Sequence, residues 1–339
     1  MTDYTILGGG AIGGTLGFHL ARAGHRVRIV DADPDHVAAI NTDGLQVDRD
    51  GTRAAVPVTA TLPTDTQPAP ADRVLLATKA QATPAAADWL AEHLAEEGFV
   101  VSVQNGLNEP LLAERLGDQR VVGCFVNIFA DTIAPGVIRD GGTGALVVGE
   151  VDGRASTRVD EVVADLQAWG PARATGNVNG FLWSKLGFGA MLVATALADA
   201  PMAELIDRHR PLMHALAAEI YAVATRLPGP DGAPLRLEAF DAYDPIPYLR
   251  GGSEADRATD TLVAWLRTQT KDRSGIWRDL AVRKRPTEVP SHYREVFRIA
   301  ESLGVPTPLS RRLVDQIAEL EAGGSMSTDR IDRLEESAR

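Results

Sequence analysis

Cysteine is the scarcest resource in this sequence: Cys124 is the only one in 339 residues. One cysteine excludes a disulfide framework and a thiolate metal site, and it suits a reducing compartment. Set in an apolar run, Cys124 reads as a small core filler. Basic residues are also in deficit, 34 against 46 acidic ones, for a net charge of −12. That balance argues against non-specific binding to nucleic acid or to a membrane surface. Long hydrophobic runs are missing too. The longest, Leu186 to Ala198, has 13 residues, fewer than the roughly 18 that suggest a membrane span. It follows a lysine and contains glycines, so it reads as a buried core helix. The seven histidines are scattered, with no i, i+4 pair beside a carboxylate, and no metal is expected. His209 and His214, near a helix start, read as structural or exposed. The first strand begins almost at residue 1, which leaves no room for a signal peptide and gives a cytoplasmic expectation.

What is present is more telling. Hydrophobic residues make up 45% of the chain, enough for a sizeable core, and the length implies two domains of about 150 residues each. Tyr4 to Leu7 is a short apolar strand that runs into Gly8-Gly9-Gly10-Ala11-Ile12-Gly13-Gly14. A helix pattern from Ala11 to Ala23 follows at once, and Arg26 to Asp31 reads as a second strand. In that context G-x-G-x-x-G is a dinucleotide fingerprint. Gly8 permits the tight turn, Gly10 lets a pyrophosphate approach the backbone, and Gly13 lets the helix pack on the strand. Ala11 and Ile12 open the helix, whose N–H groups and dipole favour phosphate. A glycine turn that binds nothing is the plain alternative, and the register of strand, helix, second strand and terminal acid argues against it. Asp31 ends the second strand. A carboxylate there accepts hydrogen bonds from the adenosine ribose and repels a 2′-phosphate, an effect of about 3 kcal/mol in favour of NAD over NADP. Asp33 adds to the repulsion, while Arg26 and Arg28 could offset it.

The first half alternates strands and helices, the pattern of an α/β Rossmann-type domain with a parallel sheet. Strands are expected at Leu45–Asp48 and Arg53–Val58 (a hairpin), Arg73–Thr78, Phe99–Val103, Arg120–Phe125 and Ala145–Gly149. Helices are expected at Asp33–Asn41, Thr83–Glu97, Pro110–Leu116 and Ser156–Trp169, and Leu62–Ala71 reads as a surface connection. Near Ala174 the pattern turns helical, with candidates at Phe181–Ala198, Pro211–Arg226, Ala255–Thr270, Ser291–Leu303 and Pro308–Ala322. Pro228 to Pro247 reads as a loop. The expected organisation is therefore a dinucleotide-binding domain over 1–174, an all-α domain over 175–325 and a loose polar tail over 326–339. A ligand cleft is expected between the two domains, and the helical one offers a surface for a homodimer.

Lys185 lies in Phe181-Leu182-Trp183-Ser184-Lys185-Leu186-Gly187-Phe188, a helix apolar on nearly every face. A buried ammonium is costly unless it is paired or faces a polar cavity, and desolvation makes a lysine a useful general acid. A lysine whose stem lies in the core and whose head reaches water is the equal alternative.

Five stretches occur in the order seen in ketopantoate reductases (2-dehydropantoate 2-reductases). They are GGGAIGG at Gly8–Gly14, ATKAQAT at Ala77–Thr83, VQNGLNE at Val103–Glu109, FLWSKL at Phe181–Leu186 and RPTEV at Arg285–Val289. GVPTP at Gly304–Pro308 is similar to that family's C-terminal signature. The resemblance runs from residue 4 to about residue 320. It implies an NAD(P)-dependent oxidoreductase in which Lys185 gives a proton to the substrate's ketone oxygen. By the same resemblance, Asn105 contacts the cofactor and orients the lysine. Glu288 helps bind substrate and lysine, and Lys79 lies near the cofactor. Glu288 and Asn105 also have plainer readings, as a helix N-terminal acid and as a turn former before Gly106.

The chain departs from the family at informative places. Asparagines expected four and eight residues after the lysine are Gly189 and Val193, so that wall is small and apolar and should select a hydroxylated acid only weakly. The acid expected soon after Glu288 is replaced by Val289-Pro290, and Asp31 stands where members carry a basic residue for NADPH. Arg267 to Arg298 holds nine Lys or Arg against four Asp or Glu. It reads as a solvated, balanced face or as an anion pocket. Ser274 within it falls near the family's substrate serine. These features point to NAD(H), with NADP(H) as the alternative cofactor, and to a small ketone or hydroxy-acid substrate more apolar than ketopantoate. An authentic NADPH-dependent 2-dehydropantoate 2-reductase is the first alternative, and a non-catalytic dinucleotide sensor is the second.

Overall fold

A computed structural model describes residues 1–66, 69–142, 144–269 and 271–338. Gln67 and Pro68 of the expected surface connection, Thr270 at the end of an expected helix and Arg339 of the expected tail lie outside the described residues. The chain divides into two compact units, Met1–Val178 and Asn179–Arg339.

In the first unit, short aliphatic runs become strands. The early strands are β1 (Asp3–Leu7), β2 (Arg26–Val30), β3 (Leu45–Arg49), β4 (Thr52–Val56), β5 (Thr59–Thr61) and β6 (Ala71–Leu76). The later ones are β7 (Leu94–Ser102), β8 (Val121–Asn127), β9 (Ala130–Ala134), β10 (Val137–Asp140), β11 (Ala145–Glu150) and β12 (Ala172–Ala174). Five helices join them: α1 (Ala11–Arg22), α2 (Pro34–Asp43), α3 (Thr83–His93), α4 (Glu109–Leu116) and α5 (Thr157–Leu166). Eight strands form the main sheet in the order β12-β11-β8-β7-β6-β1-β2-β5. Its side chains alternate between two cores, as the period of two requires. Ile6, Leu75, Val101 and Val122 pack under α1 and α5, on a face shared with Leu16, Val162 and Leu166. Leu7, Val74, Leu76 and Val100 pack on the other face with Trp89, Leu90 and Leu112 of α3 and α4.

The sheet is parallel except where β11 runs antiparallel to β8. The cause is the connection: no helix crosses over between them, so the chain returns beside β8 in the opposite direction. On the way it forms β9 and β10, which join β3 and β4 in a second sheet of order β4-β3-β10-β9. Sequence periodicity did not announce that sheet, because β9 is half-exposed throughout and β10 has only four residues. The helix expected to reach Glu97 stops at His93, since Leu94 already pairs with Ala71.

The second unit is helical: α6 (Val178–Thr195), α7 (Met202–Arg208), α8 (Arg210–Ala224), α9 (Ile246–Arg250), α10 (Gly252–Thr268), α11 (Gly275–Ala281), α12 (Val289–Ser302), α13 (Pro308–Glu321) and α14 (Thr328–Glu336). Leu212, Leu216 and Ile220 of α8 are wholly buried. Glu219 of α8 accepts the N–H groups of Leu309 and Ser310 at 3.1 and 2.8 Å, which caps α13 just after the GVPTP turn. The described part of the expected tail, 326–338, is not loose. Its polar sequence hides an amphipathic face, and α14 buries Ile331 and Leu334 while Glu335 bonds His209 Nδ1 at 2.9 Å. The segment 228–247 is irregular but anchored, with Leu235, Leu237, Phe240 and Tyr243 buried.

Candidate active site

In the first unit the chain leaves β1 toward β2 on one side and later enters β6 on the other. Ligands bind at such a switch point, outside the carboxyl ends of the strands. Gly8 ends β1 with φ +97°, and a Cβ there would lie 2.7 Å from Thr78 N. A Cβ on Gly13 would lie 2.0 Å from Gly8 O and 2.9 Å from Ala77 Cβ. Packing within the protein therefore explains both glycines. Gly10 is different. Its φ of −66° suits any residue, and a Cβ there would meet only Thr132 Oγ1, at 3.9 Å. The space above Gly10 serves no contact within the chain, and it fits a dinucleotide pyrophosphate. No side chain caps α1, so the N–H groups around Ala11 and Ile12 are available to such an anion.

Asp31 stands beside this turn. One carboxylate oxygen accepts the Gly9 N–H at 2.7 Å and the other accepts the Asp33 N–H at 2.9 Å. Asp33 itself caps α2 through the N–H groups of Asp35 and His36. The two arginines that could offset Asp31 are engaged elsewhere on β2. Arg26 pairs with Asp3, and Arg28 donates to Thr5 Oγ1 at 3.0 Å and Ala69 O at 3.2 Å. Arg28 lies three residues before Asp31, about 10 Å along a strand. His36, not singled out from sequence, holds the turn from behind. Its Nδ1 accepts the Gly136 N–H at 3.0 Å, so Nε2 carries the hydrogen and donates to Gly9 O at 2.9 Å.

Lys79 follows β6 and Asn105 follows β7, so both sit at the same carboxyl end. Lys79 is half-buried at the start of a short 3-10 turn, and Asn105 is exposed. Gly106 has φ +88°, which makes the Asn105–Gly106 turn dependent on glycine. Beneath it lies a polar layer that sequence reading passed over. Asn108 Nδ2 donates to Asn105 O at 2.9 Å, Thr83 Oγ1 to Asn108 Oδ1 at 3.1 Å, and Gln104 Nε2 to Thr78 O at 2.9 Å. Glu109 is fully buried and accepts the Asn108 N–H at 3.1 Å. Burial pushes its carboxyl from 4.5 to about 7.

In the second unit, every residue of α6 from Gly180 to Thr195 is buried except Lys185, Gly189 and Leu192. These three share one face of the helix. A Cβ on Gly189 would meet nothing within 4 Å, so open space lies one turn beyond the lysine. Val193 is buried at 3% exposure, and Leu192 continues the open stripe in its place. Glu288 precedes α12 and does not cap it, and His292 Nε2 lies 3.9 Å from its carboxylate. Its neighbour Thr287 gives both N–H and Oγ1 to Glu321, each at 2.7 Å, a clamp that sequence reading missed. Ser274 is 5% exposed, and its Oγ caps α11 by accepting the Trp277 N–H at 3.2 Å. Part of the basic segment is matched by acids inside and outside it: Arg283 and Arg285 both pair with Asp279, Arg273 with Asp272 and Asp199, and Arg267 with Asp207. Cys124 is buried. Among the described residues no group of three His, Cys, Asp or Glu forms a metal site, and no helix is long and apolar enough to cross a membrane.

Comparison with known proteins agrees with this geometry. The sequence model for Ketopantoate reductase PanE/ApbA matches residues 4–153, and that for Ketopantoate reductase PanE/ApbA C terminal matches residues 177–321. A 2-dehydropantoate 2-reductase of Mesorhizobium japonicum is 31% identical over 253 residues, 66% of this chain and 76% of that protein. A PanE/ApbA family ketopantoate reductase from Ralstonia eutropha JMP134 superposes with a TM-score of 0.77 at 28% identity, over 95% of this chain and 99% of its own. D-mandelate dehydrogenase, solved with NADH and anilino(oxo)acetate, has the same fold at 18% identity and a TM-score of 0.77, over 95% of this chain and 99% of its own.

Proposed function

Because this chain belongs to the ketopantoate reductase family, we propose that it is an NAD(H)-preferring oxidoreductase interconverting an apolar 2-oxo acid and its 2-hydroxy acid. As a member of that family it is an NAD(P)-dependent reductase acting on a keto or hydroxyl group. The non-catalytic sensor is thereby set aside.

The observation that carries the reading is the open stripe of α6, where Lys185 and Gly189 alternate with an otherwise buried surface. When bound, the reduced nicotinamide supplies hydride to the carbonyl carbon. Gly8, Gly10, Ala11, Ile12 and Gly13 would hold its pyrophosphate, Asp31 its ribose, and Lys79 and Asn105 the part that reaches the ends of β6 and β7. Lys185 Nζ gives a proton to the ketone oxygen as charge develops there, and takes it back in oxidation. Glu288 keeps that ammonium charged and oriented. The room beyond Gly189 suits a substrate side chain larger and less polar than that of ketopantoate. The D-mandelate dehydrogenase neighbour, described with NADH and an aryl 2-oxo acid analogue, supports the same pairing of cofactor and substrate class.

Authentic 2-dehydropantoate reduction is the second reading, favoured by the name of the Mesorhizobium relative. Paired calorimetric titrations with NADH and NADPH, followed by initial rates on 2-dehydropantoate and phenylglyoxylate, separate the two. NADH binding at least about tenfold tighter, with faster turnover of phenylglyoxylate, is the expected result. Tighter NADPH binding with preference for 2-dehydropantoate would favour the second reading.

A further inference from the structure

Two anchors from distant parts of the second unit converge on Ser184, the residue before Lys185. The first comes from α8. The Tyr221 hydroxyl donates to the Ser184 carbonyl at 3.0 Å, and the Tyr243 hydroxyl lies 2.6 Å from the Tyr221 oxygen. Each tyrosine has one hydrogen to give. Tyr221 spends its hydrogen on Ser184, so Tyr243 donates to Tyr221, and the chain runs Tyr243 to Tyr221 to Ser184. The second anchor comes from the irregular segment. Ser184 Oγ donates to Gly180 O at 2.7 Å and accepts the Glu238 N–H at 2.9 Å. Ser184 is wholly buried.

Gly187 makes the first anchor possible. A Cβ on that glycine would lie 2.3 Å from Tyr221 Cζ and 2.4 Å from its hydroxyl oxygen, so only glycine lets the phenol lie flat against the helix. Tyr243 is held in turn by stacking on Tyr248, with ring centres 5.2 Å apart and planes at 11°, and by Phe188 at 5.0 Å. Burial pushes the pKa of the Tyr221 and Tyr243 hydroxyls well above the ordinary phenol range, which keeps both protonated as donors. Apolar contacts are non-directional, whereas a hydrogen bond fixes a distance and an angle. A carbonyl held from outside, one residue before the lysine, adds that directional constraint to the close packing of α6.

We propose that the Tyr243–Tyr221–Ser184 chain, seated in the notch at Gly187, is a positioning device that fixes the rotation of α6 and thereby the direction of Lys185. The proposal rests on the reading of Lys185 as the proton donor. Tyr221 and Tyr243 act through the helix and are positioning residues.

The test uses two variants and a spectroscopic readout. Tyr221→Phe alone would strand the Tyr243 hydroxyl and could unfold the protein. The double variant Y221F/Y243F removes both partners with little change of shape, which is tolerated far better. Y243F alone keeps the Tyr221–Ser184 bond. The chain has four lysines, Lys79, Lys185, Lys271 and Lys284, so lysine ¹³Cε signals are few, and that of Lys185 is identified by its loss in K185R. The expected result is a changed chemical shift and titration midpoint for Lys185 in Y221F/Y243F. Lys79, Lys271 and Lys284 stay unchanged, Y243F moves the Lys185 signal in the same direction but by less, and kcat in the double variant falls about three- to tenfold with NADH affinity preserved. An unmoved Lys185 signal in the folded double variant overturns the device. A K185R protein that turns over at the parental rate overturns the reading of Lys185 instead, and the two failures are distinct.

Discussion

The glycine turn of the first unit and the lysine helix of the second are built by opposite means. At the turn, the shape is set mainly by side chains that are missing. Gly8, Gly10 and Gly13 act by lacking side chains, and Asp31 reaches the turn through one hydrogen bond to Gly9. In the second unit, which carries Lys185, groups from far along the chain tie the elements together. Tyr221 and Glu238 hold Ser184, Glu321 holds Thr287, and Glu219 caps α13. The lesson is that a cofactor site can be specified locally, while an acid–base group needs a rigid surround collected from the whole unit.

The comparison can be broken from either side. Gly13→Ala should have the largest effect at the turn. Its Cβ would collide with Gly8 O at 2.0 Å, and overpacking of this kind costs about 1–3 kcal/mol or more. Calorimetry should show NADH binding lost, and thermal unfolding should shift down. His36→Phe removes two buried hydrogen bonds, to Gly9 O and from the Gly136 N–H. NADH binding should weaken by about tenfold or more, while the second unit's unfolding, followed separately, stays put. Asp31→Asn keeps the size of the side chain and removes its charge, so the NADH to NADPH affinity ratio should fall by about tenfold. A ratio that does not move would detach Asp31 from cofactor choice.

A pH dependence of stability tests the polar layer beneath the Asn105 turn. Glu109 has a folded-state carboxyl raised from 4.5 to about 7. A raised value favours the protonated form in the folded protein. The stability this gives is complete below about pH 4.5 and is lost as pH rises through about 7. Glu109→Gln should flatten the stability-versus-pH curve over that window, read by denaturant unfolding at several pH values. An unchanged slope would mean that Glu109 is charged in the folded state.

Legibility from sequence follows the same division. The alternation of strands and helices, the fingerprint and the helical second half were readable because each depends on short-range periodicity. The sheet containing β9 and β10 was not, because no residue of β9 is buried, β10 has only four residues, and they join the sheet through the pairing of β10 with β3 and of β9 with β10. The antiparallel β11 was invisible because strand direction is decided by the connection. Segment 326–338 reads as a tail in sequence because only two of its residues, Ile331 and Leu334, are buried. Lys185 could be found by resemblance, yet nothing near it in sequence reports Tyr221 or Tyr243. The resemblance implied Val193 on the substrate wall, whereas packing turns it into the core and leaves Leu192 in the open stripe.

The most direct measurement is on Lys185→Ala, with NADH binding by calorimetry and turnover of 2-oxo acids taken on one preparation. The division of labour predicts an unchanged NADH dissociation constant and a rate lowered by about a hundredfold or more. An unchanged rate, or a loss of NADH binding equal to the loss of rate, would contradict it.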